Sequence, residues 1–236
     1  MILPLFLCFA CHIEFIAEKL LLNDMNLRGS IPSEIFQRVT RLIEVSMYNN
    51  DFTGQLPSEI GLLKDCKVIN HTAWLVLSLF HAEVDLTSIA SSCISQAFLV
   101  NDNKFGGTLP KQLGLMVDLR WFHLSGNSIG GPISDLILTL KDLTELKLGS
   151  NSLTGTIPSD IGNLRRLELL HLESNKLSSI IPSGLGHLKY LKELRLYENS
   201  LEGDMPQEVC DLVTEEELKY LGADCTIKCD CCTKCF

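Results

Sequence analysis

Leucines and their aliphatic substitutes recur along this chain as L-x-x-L-x-L. An asparagine follows at strict intervals: Asn103, Asn127, Asn151, Asn175 and Asn199 are each 24 residues apart. Around them runs one template, L-x-x-L-x-L-x-x-N-x-L-x-G-x-I-P-x-x-I-G-x-L, cleanest at 143–164, LTELKLGSNSLTGTIPSDIGNL. Two further copies precede these, around Asn50 and around Met25, where methionine takes the asparagine slot. The L-x-L piece alternates, which predicts a short strand with both leucines on one side. The asparagine falls where that strand ends. Turned inward, its amide can serve backbone groups of its own coil and the adjacent one that would otherwise be buried unpaired. The glycine suits a backbone conformation that a Cβ opposes, and the proline ends any helix there. One coil cannot bury its own leucines, whereas stacked coils share a continuous apolar column.

The pattern therefore predicts an α/β solenoid, a curved leucine-rich-repeat array with 24-residue repeats and a parallel β-sheet on its concave face. The L-x-G-x-I-P segment resembles the plant-type repeats of receptor-kinase ectodomains and polygalacturonase-inhibiting proteins, over roughly residues 20–212. The stretch from Cys210 onward resembles the cysteine-rich cap of secreted or surface repeat proteins from algae. Residues 1–19 read as a remnant of an N-terminal cap or a signal-like segment, 20–212 as about seven coils, and 213–236 as the C-terminal cap. Departures from the template are local: Met25 for Asn, Ser134 for Pro and Ser179 for Gly.

One interruption breaks the period. Asn50 and Asn103 are 53 residues apart rather than 24, and removing Val68–Gln96 restores the template, with Cys66, Phe98, Val100 and Asn103 in their slots. The removed stretch holds no Lys or Arg and fits the repeat at no register. Valine codons are GTN and glutamine can be encoded by CAG, so its ends are compatible with intron boundaries and it reads as a retained in-frame intron. The rival reading is a natural loop in which Asn70-His71-Thr72 offers a glycosylation acceptor.

Composition narrows the class. Lys+Arg 20 against Asp+Glu 29 leaves a net charge of −9, which argues against nucleic acid or an anionic membrane as partner. The apolar opening MILPLFLCFAC lacks a basic start and a small-x-small cleavage site, so as a signal segment it is weak. The nearest candidate span, Thr72–Ala90, carries His81, Glu83 and Asp85, so no transmembrane segment is expected. Of the 10 cysteines, Cys225, Cys229, Cys231, Cys232 and Cys235 crowd the end and, with Cys210, are disulfide candidates in an oxidising compartment. Zinc is the rival, but it favours C-x-x-C pairs separated by a longer loop, often with His, whereas these cysteines are crowded together with no His among them. Cys8 and Cys11 fit a truncated N-terminal cap. The run Glu215-Glu216-Glu217 reads as the solvated start of a helix in the cap.

No G-x-S-x-G, H-E-x-x-H, P-loop or dinucleotide-binding glycine pattern occurs, so neither an enzyme nor a cofactor is expected. A binding module remains, and the slot between the last two leucines of L-x-x-L-x-L points outward on the sheet. That slot reads Leu21, Ser46, Leu99, His123, Lys147, His171, Arg195 along the array, and the next outward slot ends in Glu173 and Tyr197. His123 to Arg195 predicts a cationic stripe, with Trp121 beside it as an anchor. The candidate ligand-binding residues are thus Trp121, His123, Lys147, His171, Glu173, Arg195 and Tyr197. An acidic or sugar-acid ligand held by Lys147 and Arg195 is expected, bound more tightly as pH falls through the histidine range. The rival expectation is that Glu145, Glu173 and Glu193 simply pair with these cations across strands. The family resemblance implies an extracellular or cell-surface module for a protein, peptide or cell-wall-derived ligand. An inhibitor of a secreted glycan hydrolase and a structural cell-wall protein are the alternatives.

Overall fold

Every copy of the L-x-L piece whose backbone is described forms a strand of three residues, because the alternation leaves one face apolar and the following turn ends it. The computed structural model describes residues 19–38, 44–62, 97–215 and 217–236. The segment 1–18, the inserted stretch 68–96 with its glycosylation acceptor and candidate span, and Cys8, Cys11 and Cys66 lie outside the described residues. The strands β1 (Lys19–Leu21), β3 (Glu44–Ser46), β5 (Ala97–Leu99), β7 (Trp121–His123), β9 (Glu145–Lys147), β11 (Leu169–His171), β13 (Glu193–Arg195), β15 (Tyr220–Ala223) and β16 (Lys234–Cys235) form one sheet in that order. Every pairing in it is parallel. This sheet lines the concave face of a curved solenoid.

On the opposite side the L-x-G segments make shorter strands in two sheets. β2 (Arg28–Gly29), β4 (Asp51–Gln55) and β6 (Lys104–Gly106) form one; β8 (Gly130–Gly131), β10 (Ser152–Gly155), β12 (Lys176–Ile180) and β14 (Ser200–Glu202) form the other. Most coils then close through a 3₁₀ turn, as at Ser58–Leu62, Lys111–Leu115, Ser159–Asn163 and Ser183–His187. The proline of I-P precedes such turns in extended conformation, at φ −68° for Pro110 and −64° for Pro158. Its missing N–H costs nothing there, since no bond is due from it. At the template glycine the backbone is left-handed, and Ser179 holds the same conformation at φ 74° despite its side chain.

Between the sheets lies a single apolar column. Leu146, Leu148, Leu153, Ile157, Ile161, Leu164 and Leu167, all from one turn of the solenoid and the start of the next, are buried to within 3% of complete. In the N-terminal half, phenylalanines take several leucine slots and meet between coils, Phe98 with Phe122 at 5.9 Å and Phe52 with Phe105 at 6.1 Å. β3 pairs directly with β5, Val45 opposite Phe98 and Ser46 opposite Leu99. The 53-residue step thus spans one rung of the array, as the 24-residue steps do.

The asparagines bind the rungs together. Asn151 Nδ2 donates to the Leu148 and Gly149 carbonyls of its own coil at 3.1 and 3.2 Å and to Leu124 of the preceding coil at 2.9 Å. Its Oδ1 accepts from Ile129 N–H at 3.0 Å. Asn103, Asn127, Asn175 and Asn199 repeat this pattern, each accepting from the preceding coil. Asn50 accepts from both Met25 and Leu27 N–H in the first coil, where no ladder asparagine precedes it.

At the C-terminal end, α2 (Gln207–Glu215) lays Val209 and Leu212 on the apolar column; the only other α-helix among the described residues is α1 (Glu34–Arg38) in the first coil. Three disulfides lock the cap: Cys210–Cys231, Cys225–Cys235 and Cys229–Cys232. Glu215 closes α2, so a helix ends at that residue rather than starting there, a correction to the sequence reading. Asp224 accepts from Glu198 and Asn199 N–H with its carboxylate, replacing the carbonyls that receive the equivalent amides in earlier coils.

Candidate functional site

Parallel pairing without offset places equivalent residues of each coil side by side. Leu99, His123, Lys147, His171 and Arg195 run in register through β5, β7, β9, β11 and β13. Ala97, Trp121, Glu145, Leu169, Glu193 and Tyr220 make the neighbouring column. The outward position beyond the strands carries Glu173 and Tyr197. Adjacent strands are about 4.8 Å apart, so each column packs its side chains in direct contact.

Charge on this face is organised as two closed units. In one, Glu145 Oε2 takes Lys147 Nζ at 2.6 Å and His123 Nε2 at 2.9 Å. In the other, Arg195 Nη2 lies 2.5 Å from Glu193 Oε1, and His171 Nε2 lies 3.4 Å from Glu193 Oε2 without a hydrogen bond. The pairs are half-buried, which strengthens them relative to fully exposed ones. Glu145 is drawn down to about 2, because hydrogen bonds from His123 and Lys147 and their charge outweigh the burial that opposes ionisation. Burial pushes His123 below the usual imidazole range, with Lys147 adding to it. His171 falls to about 4, from burial first and then from the Arg195 charge.

Those shifts correct two expectations. His171 is neutral near pH 6 and His123 is shifted in the same direction, so neither gains charge at the ordinary imidazole pKa as pH falls. Lys147 and Arg195 are neutralised by Glu145 and Glu193 two residues away on their own strands, whereas the rival reading placed such pairs across strands and included Glu173.

Glu173 is the exception. Its Oε2 is buried without a hydrogen-bond partner, and burial raises its carboxyl above the usual range. The side chain lies over Gly149 of the preceding coil, where a Cβ would come 2.6 Å from Glu173 Cδ. Tyr197, the next residue in that column, stacks on Phe236 with ring centroids 3.7 Å apart. Lys234 sits 4.3 Å from the Phe236 ring centre, and Arg195 5.6 Å from that of Tyr220. The cap thus contributes Tyr220, Lys234 and Phe236 to this face, and sequence reading missed all three. Glu193 to Tyr220 is a 27-residue step that breaks the period used to find the columns. Trp121 stands half-buried between Ala97 and Glu145, two coils from Glu173. Among the described residues no group of three or more His, Cys, Asp or Glu side chains is arranged to hold a metal ion. No described helix is long and apolar enough to cross a membrane.

The fold and the asparagine ladder define a leucine-rich-repeat solenoid. Comparison makes the likeness specific: the chain is similar to plant leucine-rich-repeat receptor ectodomains. A leucine-rich-repeat family model matches residues 117–177. No curated protein sequence matches the chain. Among solved structures it is similar to the ectodomain of the Arabidopsis thaliana receptor kinase GASSHO1/SCHENGEN3 in complex with CASPARIAN STRIP INTEGRITY FACTOR 2. Identity there is 28% and the TM-score 0.69, covering 87% of this chain and 20% of that one. It is also similar to the Arabidopsis receptor kinase HAESA in complex with the peptide hormone IDA and the co-receptor SERK1, at 29% identity and TM-score 0.65, over 90% of this chain and 34% of that one. A plant ice-binding protein matches at 23% identity and TM-score 0.66, over 88% and 56%, which speaks to the fold alone. The chain spans only a fifth to a third of the length of the two receptor ectodomains.

Proposed function

We propose that this protein is a non-catalytic recognition module, extracellular or at the cell surface, that binds a protein, peptide or cell-wall-derived oligosaccharide on its concave face. In this reading residues 20–212 form the recognition array and 213–236 its cap. The observation that carries it is the in-register set of outward columns through β5 to β13, where Trp121, Tyr197 and the ion-paired side chains are free of any duty to the core. A rigid repeat whose outward positions do not affect folding can vary its specificity without losing its shape. The two ectodomains above, one of them in complex with a peptide hormone, support the reading by likeness.

The test is binding of the purified protein to arrays of peptides and of cell-wall oligosaccharides, with circular dichroism confirming folded variants. Trp121→Ala combined with Tyr197→Ala abolishes capture, whereas Thr154→Ala combined with Ile180→Ala on the opposite face leaves it intact. The reverse pattern, or capture on neither array, overturns the proposal.

A further inference from the structure

Resting on that reading, we infer that the concave face receives a basic side chain of a peptide, its ammonium or guanidinium seated on the Glu173 carboxylate. An acidic ligand, which the cations by themselves would invite, meets in the central columns only cations that already hold a carboxylate. Lys147 is held by Glu145, Arg195 by two donors to Glu193 Oε1, and Lys234 lies over the Phe236 ring. With both histidines neutral, the central columns hold two cations and three carboxylates, and Glu173 is the carboxylate with no direct ion pair.

The geometry of Glu173 has a second part. Burying a carboxylate oxygen without a partner is costly, and a ligand that supplies the missing donor removes that cost. Gly149 makes the seat by leaving room for the carboxyl group, since any larger residue there would displace it. Two residues before it, at the end of β11, His171 Nε2 is likewise buried without a hydrogen bond, so two neighbouring outward side chains offer unused polar atoms. Tyr197 forms one wall. A lysine or arginine stem packs on such a ring while its charged head reaches beyond it, a fit that a bare metal ion or a sugar acid does not make.

The test uses acetylated and amidated hexapeptides of alternating lysine and tyrosine, against the same peptides with glutamate for lysine, titrated by fluorescence anisotropy at pH 7 and 150 mM salt. The lysine peptide binds the wild-type protein more tightly, and Glu173→Gln weakens it at least tenfold. Gly149→Ala weakens it too while keeping the charge, and Glu208→Gln, an exposed acid on α2, leaves it unchanged. Tighter binding of the glutamate peptide overturns the inference, as does no binding of the lysine peptide. Equal losses in Glu173→Gln and Glu208→Gln overturn it as general attraction to an acidic protein. If the glutamate peptide binds and the Trp121→Ala, Tyr197→Ala variant abolishes it, the concave face stands and only the basic ligand falls. Peptide binding indifferent to that variant removes both.

Discussion

Arg195 and Glu193 stand two residues apart on one strand, and the guanidinium gives both Nε and Nη2 to the single oxygen Oε1, each at 2.5 Å. Only Oε2 is left for His171, at 3.4 Å. The imidazole therefore gains little from Glu193, while burial, Arg195 and Lys147 all oppose its protonation. The unfolded chain binds a proton at this residue near pH 6.5 and the folded chain only near 4, so stability is full above 6.5 and falls as pH drops from 6.5 to 4. Glu145 adds a further loss from about 4.5 down to 2, while Glu173, whose carboxyl is raised, opposes the His171 loss above 4.5. Urea melts of wild type and His171→Gln at pH 7, 5.5 and 4.5 check this. The variant loses the slope above pH 4.5; an unchanged slope assigns it elsewhere.

Deleting 68–96 leaves 63–67 between Leu62 and Ala97. That is five residues, the length of the links 116–120, 164–168 and 188–192 in later coils. Because β3 and β5 already pair, the shortened chain folds with the wild-type spectrum and an equal or higher Tm. Loss of cooperative melting in the deletion variant would make the segment part of the array.

Asn151→Ala strips one acceptor and three donor contacts from buried backbone. The expected cost is about 2–4 kcal/mol, several hydrogen bonds' worth, read as a shift of the urea midpoint. Asn163→Ala, on an exposed 3₁₀ turn, costs less than about 0.5 kcal/mol by the same measurement.

Ser179 is the template position that keeps φ at 74° without being glycine. Ser179→Gly relieves a left-handed penalty of about 1–2 kcal/mol, part of which returns as added freedom of the unfolded chain. The net gain expected in chemical denaturation is about 0.5 kcal/mol, and a loss would show that the hydroxyl matters more than the backbone.

Non-reducing peptide maps give Cys210–Cys231, Cys225–Cys235 and Cys229–Cys232. Replacing Cys210 and Cys231 with serine unties α2 from the cap and costs about 2–5 kcal/mol. Alkylation of all six without reductant contradicts these pairings.

The sequence exposed the solenoid because its signals are repeated. Each Asn, Gly and Leu-x-Leu recurs at one spacing, so a substitution such as Met25 or Ser134 is outvoted by its neighbours. The same period located Lys147, His171, Arg195 and Glu173 in their columns. It did not give their charge states, since these depend on which oxygen of Glu145 or Glu193 faces which nitrogen. Nor did it find Phe236 and Tyr220, because cap spacing is set by disulfide closure and not by the repeat. The role of Gly149 was hidden for another reason: in the sequence it is one variable position among many, and only the overlying Glu173 gives it meaning.

The pairing of β3 with β5 also bears on how the chain assembles. Elsewhere in the repeats, neighbouring rungs can find one another after a search over 24 residues, a short loop with little entropy to surrender. At this seam the search covers 53 residues, from Val45 to Phe98, and closing it costs about 0.7 kcal/mol more by the logarithmic loop law. The longer, mostly 24-residue run from β5 to the cap is then the half able to form first, and the N-terminal coils join a template already built.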